Sequence, residues 1–407
     1  MPQPSSLVQL LEQVSAKHIL EAAPPEDRGL AETLPFPFLA LVGQTEMKTA
    51  LMLGLINPAI SGILLIGPRG TGKTTAVRSL TDLLPMVNRS ACPYGCLPED
   101  VESGGMDAVC PDCAKKYGEG QPLTYADPVR LVELPLNARL EDVVGGLNER
   151  AAVHNRMQIQ RGLLAQADQN LLYVDEVNLL ADEIVDAILD AAAQGIYTVR
   201  RGPLAATYRS RFVLIGSMNP EEGRLRPQIL DRFGLRLIIR GLEDTADRLE
   251  AYRRVRAYLT SPRSTIAAYA DQTLLARDEI QTARNLVPQI KLSPEAEHTG
   301  LELVRQMQVD SLRAEITLFE AARAYAAADA RTTVTLADIQ AVAPMAVRLR
   351  RSPFMIDYFN SQQTEEKEIR VLLEKLVRND ERRKTKDEGR SQKPGVRSRK
   401  SKGRSRQ

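Results

Sequence analysis

An α/β domain followed by an all-helical one is the architecture this sequence predicts, on three observations. Up to about residue 240, short apolar runs sized for buried parallel strands alternate with segments of helical spacing. From Asp244 onward only helical spacing remains, rich in alanine, the best helix former. Between the first apolar run, Ile63 to Ile66, and the helical stretch Thr74 to Leu84 sits a glycine-rich turn, and Pro85 stops the helix.

Length and composition set the bounds. At 407 residues with 43 % hydrophobic content, the chain has room for two or three domains and a full core. It contains no run of about eighteen apolar residues and no basic segment followed by an apolar one at its start, so the expectation is a cytoplasmic chain with no membrane span. Four cysteines fall together at 92, 96, 110 and 113, which in a reducing compartment favours a metal site over disulfides. The net charge of +2 conceals a basic end: Asp380 to Gln407 carries 12 Lys and Arg against 4 Asp and Glu.

In chain order, residues 1–34 form an extension with a short predicted helix, Leu7 to Ala22, and a Pro24-Pro25 break. An α/β domain is expected over 35–242. It opens on Pro35-Phe-Pro-Phe38 and a helix from Glu46 to Leu55, then the first strand and glycine-rich turn. Between Pro85 and Pro122 periodicity disappears, and the region of about 88–122 reads as an inserted loop holding the cysteines. Val129 to Leu134, Asn170 to Glu176 with its two closing acids, Arg211 to Asn219 with its polar end, and Leu235 to Ile239 read as further strands. Asn178 to Ala193 reads as a helix, and Tyr197 to Arg209 as a hairpin around Gly202-Pro203. Residues 243–350 form the helical part, with segments at Leu249–Tyr258, Thr273–Asn285, Pro294–Met307, Ile316–Ala330 and Asp338–Arg348, the last capped by Thr335. A terminal helix is expected over 351–378 and a basic, disordered tail over 379–407.

The chemistry starts at Gly67-Pro68-Arg69-Gly70-Thr71-Gly72-Lys73-Thr74-Thr75, which fits the phosphate-loop pattern G-x-x-x-x-G-K-[ST]. Backbone N–H groups of such a loop, and the positive end of the helix it opens, surround the phosphates of a nucleotide. Lys73 can reach the β and γ phosphates, and the Thr74 hydroxyl can ligate Mg²⁺. Asp175, ending the strand Leu-Leu-Tyr-Val, is suited to hold the same ion, and Glu176 to activate the attacking water. Asn219 ends the next apolar strand, where its amide could hold that water or touch the γ phosphate, although Asn before Pro220 is also an ordinary turn residue. Spacing alone does not distinguish Arg232 and Arg313 from surface ion-pair residues.

The runs Phe36-Pro-Phe-Leu-Ala-Leu-Val-Gly-Gln44, Gly67 to Thr74, Leu172-Tyr-Val-Asp-Glu-Val-Asn-Leu-Leu180 and Gly216-Ser-Met-Asn-Pro-Glu-Glu-Gly-Arg-Leu-Arg-Pro-Gln-Ile-Leu-Asp-Arg-Phe-Gly234 resemble an AAA+ ATPase. Within that group the sequence is similar, from about 36 to 350, to the I subunit of magnesium chelatase. The resemblance implies an AAA+ P-loop NTPase domain, with a parallel sheet flanked by helices, followed by an all-helical lid. It makes Gly67 to Thr74 the Walker A motif, Asp175-Glu176 Walker B and Asn219 sensor 1. Arg232 becomes an arginine finger acting on a neighbouring subunit's ATP, and Arg313 the sensor 2 arginine, so that the ATP site draws arginines from its own and an adjacent subunit. It also implies a ring, typically a hexamer, that drives Mg²⁺ into protoporphyrin IX with a D-type AAA+/von Willebrand A subunit and a large porphyrin-binding subunit. Cobalt insertion, or MoxR-like remodelling of a protein client, stays open as an alternative. His18, His154 and His298 are scattered and form no porphyrin site.

The chain departs from that pattern in its extension, its tail and its cysteines, which the photosynthetic I subunits lack. Cys92-Pro-Tyr-Gly-Cys96 and Cys110-Pro-Asp-Cys113 are two close pairs separated by thirteen residues, a spacing suited to a tetrahedral site with structural zinc. An iron–sulfur cluster or four unligated thiols are the alternatives. The tail has eight Lys and Arg and no acids from Gly389 to Gln407, but no aromatics on which bases could stack, so nucleic acid is not the expected partner.

Overall fold

The computed structural model describes residues 34–147, 159–201, 204–223 and 225–352, with scattered positions from 354 to 375. The helix expected at Leu7 to Ala22, His18, His154, the Gly202-Pro203 turn and the tail over 379–407 lie outside the described residues.

The first half runs α1 (Thr45–Ile56), β1 (Ile63–Ile66), α2 (Lys73–Ser79), β2 (Met86–Ser90), α3 (Pro98–Gly104), α4 (Pro111–Gly118), β3 (Thr124–Pro128), β4 (Leu131–Leu134), α5 (Leu140–Val144), β5 (Gly145–Leu147), β6 (Ile159–Arg161) and α6 (Leu163–Gln166). It continues through β7 (Leu171–Val174), α7 (Asp182–Gln194), β8 (Ile196–Arg201), β9 (Leu204–Arg209), β10 (Val213–Met218), α8 (Pro227–Arg232) and β11 (Leu235–Ile238). The helical part comprises α9 (Thr245–Thr260), α10 (Pro262–Leu286), α11 (Pro294–Gln306), α12 (Leu312–Ala328) and α13 (Leu336–Val347), with a two-residue ladder between β12 (Lys291–Leu292) and β13 (Thr333–Val334).

Five strands make one parallel sheet in the order β11-β1-β10-β7-β4. Their apolar runs are continuous because both faces are covered. Ile63, Leu65, Leu171, Tyr173, Ile215 and Leu237 point into one layer; Leu64, Ile66, Leu172, Val174 and Leu214 point into the other. The first layer is filled by α1, which is apolar almost all round, and by the helical part. The second is filled by α7 and Phe233. Each fully buried Leu or Ile contributes about 1.5–3 kcal/mol. Polar clips reinforce the first layer: Asn57 donates to the Glu320 carbonyl at 3.1 Å and to its carboxylate at 2.7 Å, and Arg284 donates to the Leu55 carbonyl at 3.0 Å.

Several elements extend beyond their expected limits. The helix expected over Thr273–Asn285 begins at Pro262, because no breaker stands between the two positions. Thr335 stands at the N-cap of α13 as expected, and the Asp338 carboxylate accepts from both its N–H at 2.7 Å and its hydroxyl at 3.0 Å. The region read as an inserted loop is not irregular: β2 and β3 pair as an antiparallel hairpin, and α3 and α4 occupy its end. These pieces are too short to leave a periodic signal in the sequence.

Chain contacts divide the molecule at Arg350. In the second unit, residues 365–373 are helical. Among the described residues no helix is long and apolar enough to cross a membrane.

Gly234 joins α8 to β11, and a Cβ there would stand 1.8 Å from the Ile60 carbonyl oxygen. Gly234→Ala is therefore expected to lower stability by about 2–3 kcal/mol through overpacking. An unchanged Tm in a thermal melt would contradict this packing.

Candidate active site

Parallel pairing sends the C-terminal ends of β1, β7 and β10 to one edge of the sheet, and the expected ATP-site residues cluster there. Leaving β1, Gly67 donates its N–H to the Met218 carbonyl at 3.1 Å, and a Cβ on Gly67 would lie 2.2 Å from the Ile239 oxygen, so only glycine fits. Gly70 and Gly72 take φ of +77° and +85°, the left-handed turns that aim the loop's N–H groups inward before α2 begins. The Lys73 ammonium folds back to donate to the Gly67 and Pro68 carbonyls at 2.7 and 2.8 Å. Burial pushes its pKa down, and Asp175, Glu176 and Glu222 pull it back.

Asp175 is held on several sides. Thr74 Oγ1 donates to its Oδ2 at 3.2 Å, Tyr173 Oη donates to its Oδ1 at 2.8 Å, and the Ser217 hydroxyl donates to the same Oδ1. The register explains the grouping: Tyr173 lies on the same strand face as Asp175, and β10 pairs Val174 with Gly216, one residue before Ser217. A hydroxyl and a carboxylate this close are hard oxygen donors that fit Mg²⁺.

Glu176 adopts φ +49°, an uncommon conformation away from glycine, while its N–H donates to Ser217 Oγ at 3.1 Å. Its carboxylate meets the Arg69 guanidinium at 3.5 Å, and Arg69 also pairs with Glu222. Asn219 is buried, with Oδ1 accepting from Glu221 N at 3.3 Å. Arg69 to Thr75, Asp175, Glu176, Ser217 and Asn219 line one cleft. Next to it is a larger cavity, 620 Å³, walled by Phe36, Val42, Met47, Leu242 and Val255 and sharing Arg69 to Gly72 and Thr75, with the size and apolar character suited to a nucleoside.

Sequence reasoning missed Tyr173, Ser217, Glu222 and this second cavity. The first two had a signal: a residue two before Asp175, and a hydroxyl two before Asn219, on strands expected to be neighbours.

Arg232 and Arg313 lie elsewhere. Arg232 ends α8 just before β11, whose first residue, Leu235, pairs with Ile63, the first residue of β1. It stands at the edge where strands begin, about 13 Å of strand from the edge where they end. There it pairs with Asp190 of α7 at 2.5 Å. Arg313 donates to Asp231 at 3.1 Å, and the fully buried Arg350 holds the same carboxylate at 3.0 Å. Both Arg232 and Arg313 line a cavity with Ser61, Leu189, Asp231 and Thr317. Asp231 thus ties Arg313 to the same edge as Arg232, and neither arginine lines the cleft that holds Lys73 and Asp175.

A third group is the four cysteines. Their sulfurs all lie within 4.8 Å of one another, with Cys96 and Cys113 buried. Cys96 N–H points at Cys92 Sγ and Cys110 N–H at Cys96 Sγ, each at 3.4 Å. Burial, with the sulfurs of Cys92 and Cys110 alongside, pushes the Cys96 thiol up to about 11.

The AAA domain family matches residues 61–217, and the AAA lid domain family matches residues 297–370. The Methanocaldococcus jannaschii protein named magnesium-chelatase subunit ChlI homolog is 39 % identical over 335 residues, covering 81 % of this chain and 90 % of that one. The chain belongs to the magnesium-chelatase I-subunit family of AAA ATPases. Another I-subunit relative, the magnesium-chelatase 38 kDa subunit of Acidiphilium rubrum, is 41 % identical over 322 residues, covering 78 % of this chain and 92 % of its own. A chain of the solved complex between subunits BchI and BchD of magnesium chelatase is 36 % identical, covers 80 % of this chain and 99 % of that one, and superposes with a TM-score of 0.43.

Tyr173→Phe removes the hydroxyl between Thr74 and Asp175 without altering the strand. The Mg²⁺ concentration needed for half-maximal ATP binding is expected to rise roughly tenfold, the usual effect of losing a partner behind a metal ligand. Titration with a fluorescent ATP analogue checks this, and an unaltered Mg²⁺ requirement would show that the hydroxyl does not orient Asp175.

Proposed function

We propose that this chain is the ATP-hydrolysing motor of a metal chelatase, inserting Mg²⁺ into a protoporphyrin. The observation that carries the ATPase half is the convergence of Lys73, Thr74, Asp175, Glu176 and Asn219 on one cleft. The chelatase half rests on the names of relatives that match over about nine tenths of their length.

In this reading Gly67 to Thr75 cradle the triphosphate and Lys73 offsets charge on the β and γ phosphates. Thr74 and Asp175 hold Mg²⁺, which when bound neutralises the phosphates. Asn219 positions a water, and Glu176, released from Arg69, takes its proton as the water oxygen bonds to the γ-phosphorus and ADP departs. Positive charge is needed where that transition state gains negative charge, and the edge carrying Arg232 and Arg313 is too distant to supply it within one chain. A second copy, packed with that edge against this cleft, would supply both. Repeating the contact around a closed ring gives the proposed hexamer.

A D-type AAA+/von Willebrand A subunit and a large porphyrin-binding subunit complete the proposed assembly. Its place is the cytoplasm, where a reducing compartment keeps the four cysteines as thiols able to hold a structural zinc.

Glu176→Gln should bind ATP normally and lose at least 100-fold in turnover, because the base is lost while the cradle stays. Near-normal phosphate release would overturn the role of Glu176. ATP-dependent appearance of Mg-porphyrin fluorescence in a mixture with the two partner subunits tests the client. Hydrolysis without insertion would refute the chelatase half alone.

A further inference from the structure

The cysteine insert has almost no core of its own. Among its described residues the buried apolar set is Val101, Val109 and Leu123 together with Cys96 and Cys113. So small a cluster does not offset the ordering of some thirty residues, and small units of this kind need a staple. The sulfurs supply the place for one. A tetrahedron with Zn–S bonds of ~2.3 Å has S–S edges of ~3.8 Å, within reach of the observed cluster after small rotations. The two N–H groups aimed at sulfur favour the thiolate form.

What the insert touches gives this staple a purpose. Cys92 and Cys96 bracket Pro93-Tyr94-Gly95, and these three residues meet the neighbouring hairpins. The Tyr94 ring stacks on Tyr208 of β9, centroids 5.8 Å apart and planes within 12°. The Pro93 carbonyl accepts from Arg161 of β6 at 3.3 Å. Gly95 runs so close that a Cβ would lie 3.0 Å from the Cβ of Arg209. Just beyond Cys96, Asp100 pairs with Arg209 at 2.6 Å, both side chains largely sheltered. The contacted hairpin, β8–β9, is inserted directly between α7, which follows Glu176, and β10, which leads to Asn219. Its base is pinned where Ser210 N–H donates to the Gly195 carbonyl at 2.8 Å and Arg211 grips Asp168. The insert adds to this base, because Tyr208 and Arg209 are the β9 residues that pair with Tyr197 and Ile196 at the hairpin's open end.

We propose that Cys92, Cys96, Cys110 and Cys113 bind one Zn²⁺ and that this ion braces the β8–β9 hairpin by fixing Pro93 to Gly95 against it. The brace rests on the zinc assignment made above and adds a partner to it within the same chain: the metal site orders a second element, not only the insert that contains it.

The test uses the full chain purified without chelator, with metal content measured by elemental analysis and hairpin opening by hydrogen exchange of residues 196–209. About one zinc per chain is expected, and Cys110→Ser or stripping with a chelator should speed exchange in the hairpin at least tenfold. Arg209→Ala combined with Tyr94→Ala should do the same with zinc retained, which keeps the question answerable if Cys110→Ser fails to fold. Well under one zinc per chain, or iron in its place, overturns the metal assignment. Full zinc with hairpin exchange unmoved by every variant overturns the brace. Fluorescent-ATP binding, followed in the same samples, should stay intact, so a failure here is distinguishable from a failure of the ATPase reading.

Discussion

Parallel pairing of β1 between β10 and β11 is the constraint on which the rest depends. Because all five strands run the same way, every loop leaving a strand emerges at one edge and every segment entering a strand approaches from the other. The phosphate loop, Asp175-Glu176 and Asn219 follow β1, β7 and β10 and meet. Arg232 precedes β11 and cannot join them. Asp231 then carries Arg313 to the same edge through its ion pair, with the buried Arg350 anchoring the carboxylate. In the proposed reading, the groups for phosphoryl transfer are divided between two edges of one sheet, and that division is what calls for a second copy of the chain.

The same sheet stiffens the site. Tyr173 on β7 and Ser217 on the adjacent β10 both donate to Asp175, so the carboxylate is held by the sheet itself. Glu176 is treated differently. Its left-handed backbone turns it away from the strand and towards Arg69, which is mostly exposed; such an ion pair contributes about 0–1 kcal/mol. Glu176 is thus weakly restrained beside a firmly held Asp175, which suits the proposed division between a base that changes partners and a metal ligand that stays fixed.

Much of this was legible in the sequence where local pattern and tertiary structure coincide. The glycine-rich turn between an apolar run and a helix, the acids closing β7, and the Thr335 cap all follow from short-range rules. The apolar cavity beside the cleft was not legible because Phe36, Met47 and Leu242 come together only when the chain closes over the sheet. The position of Arg313 was not legible either, since it depends on an ion pair with Asp231, eighty-two residues away. The cysteine insert falls between these cases. Its spacing announced four ligands, but its hairpin and short helices carry no periodicity, and its contact with β9 rests on a stacked tyrosine pair that no motif encodes.

Mixing Glu176→Gln with Arg232→Ala subunits and measuring ATP hydrolysis tests the divided site most directly. Each variant alone should be nearly inactive. In the mixture, interfaces that pair an intact Glu176 cleft with an intact Arg232 edge should recover a measurable fraction of wild-type turnover. Hydrolysis that stays at the level of the separate variants at every mixing ratio, in rings shown to contain both, would contradict the account.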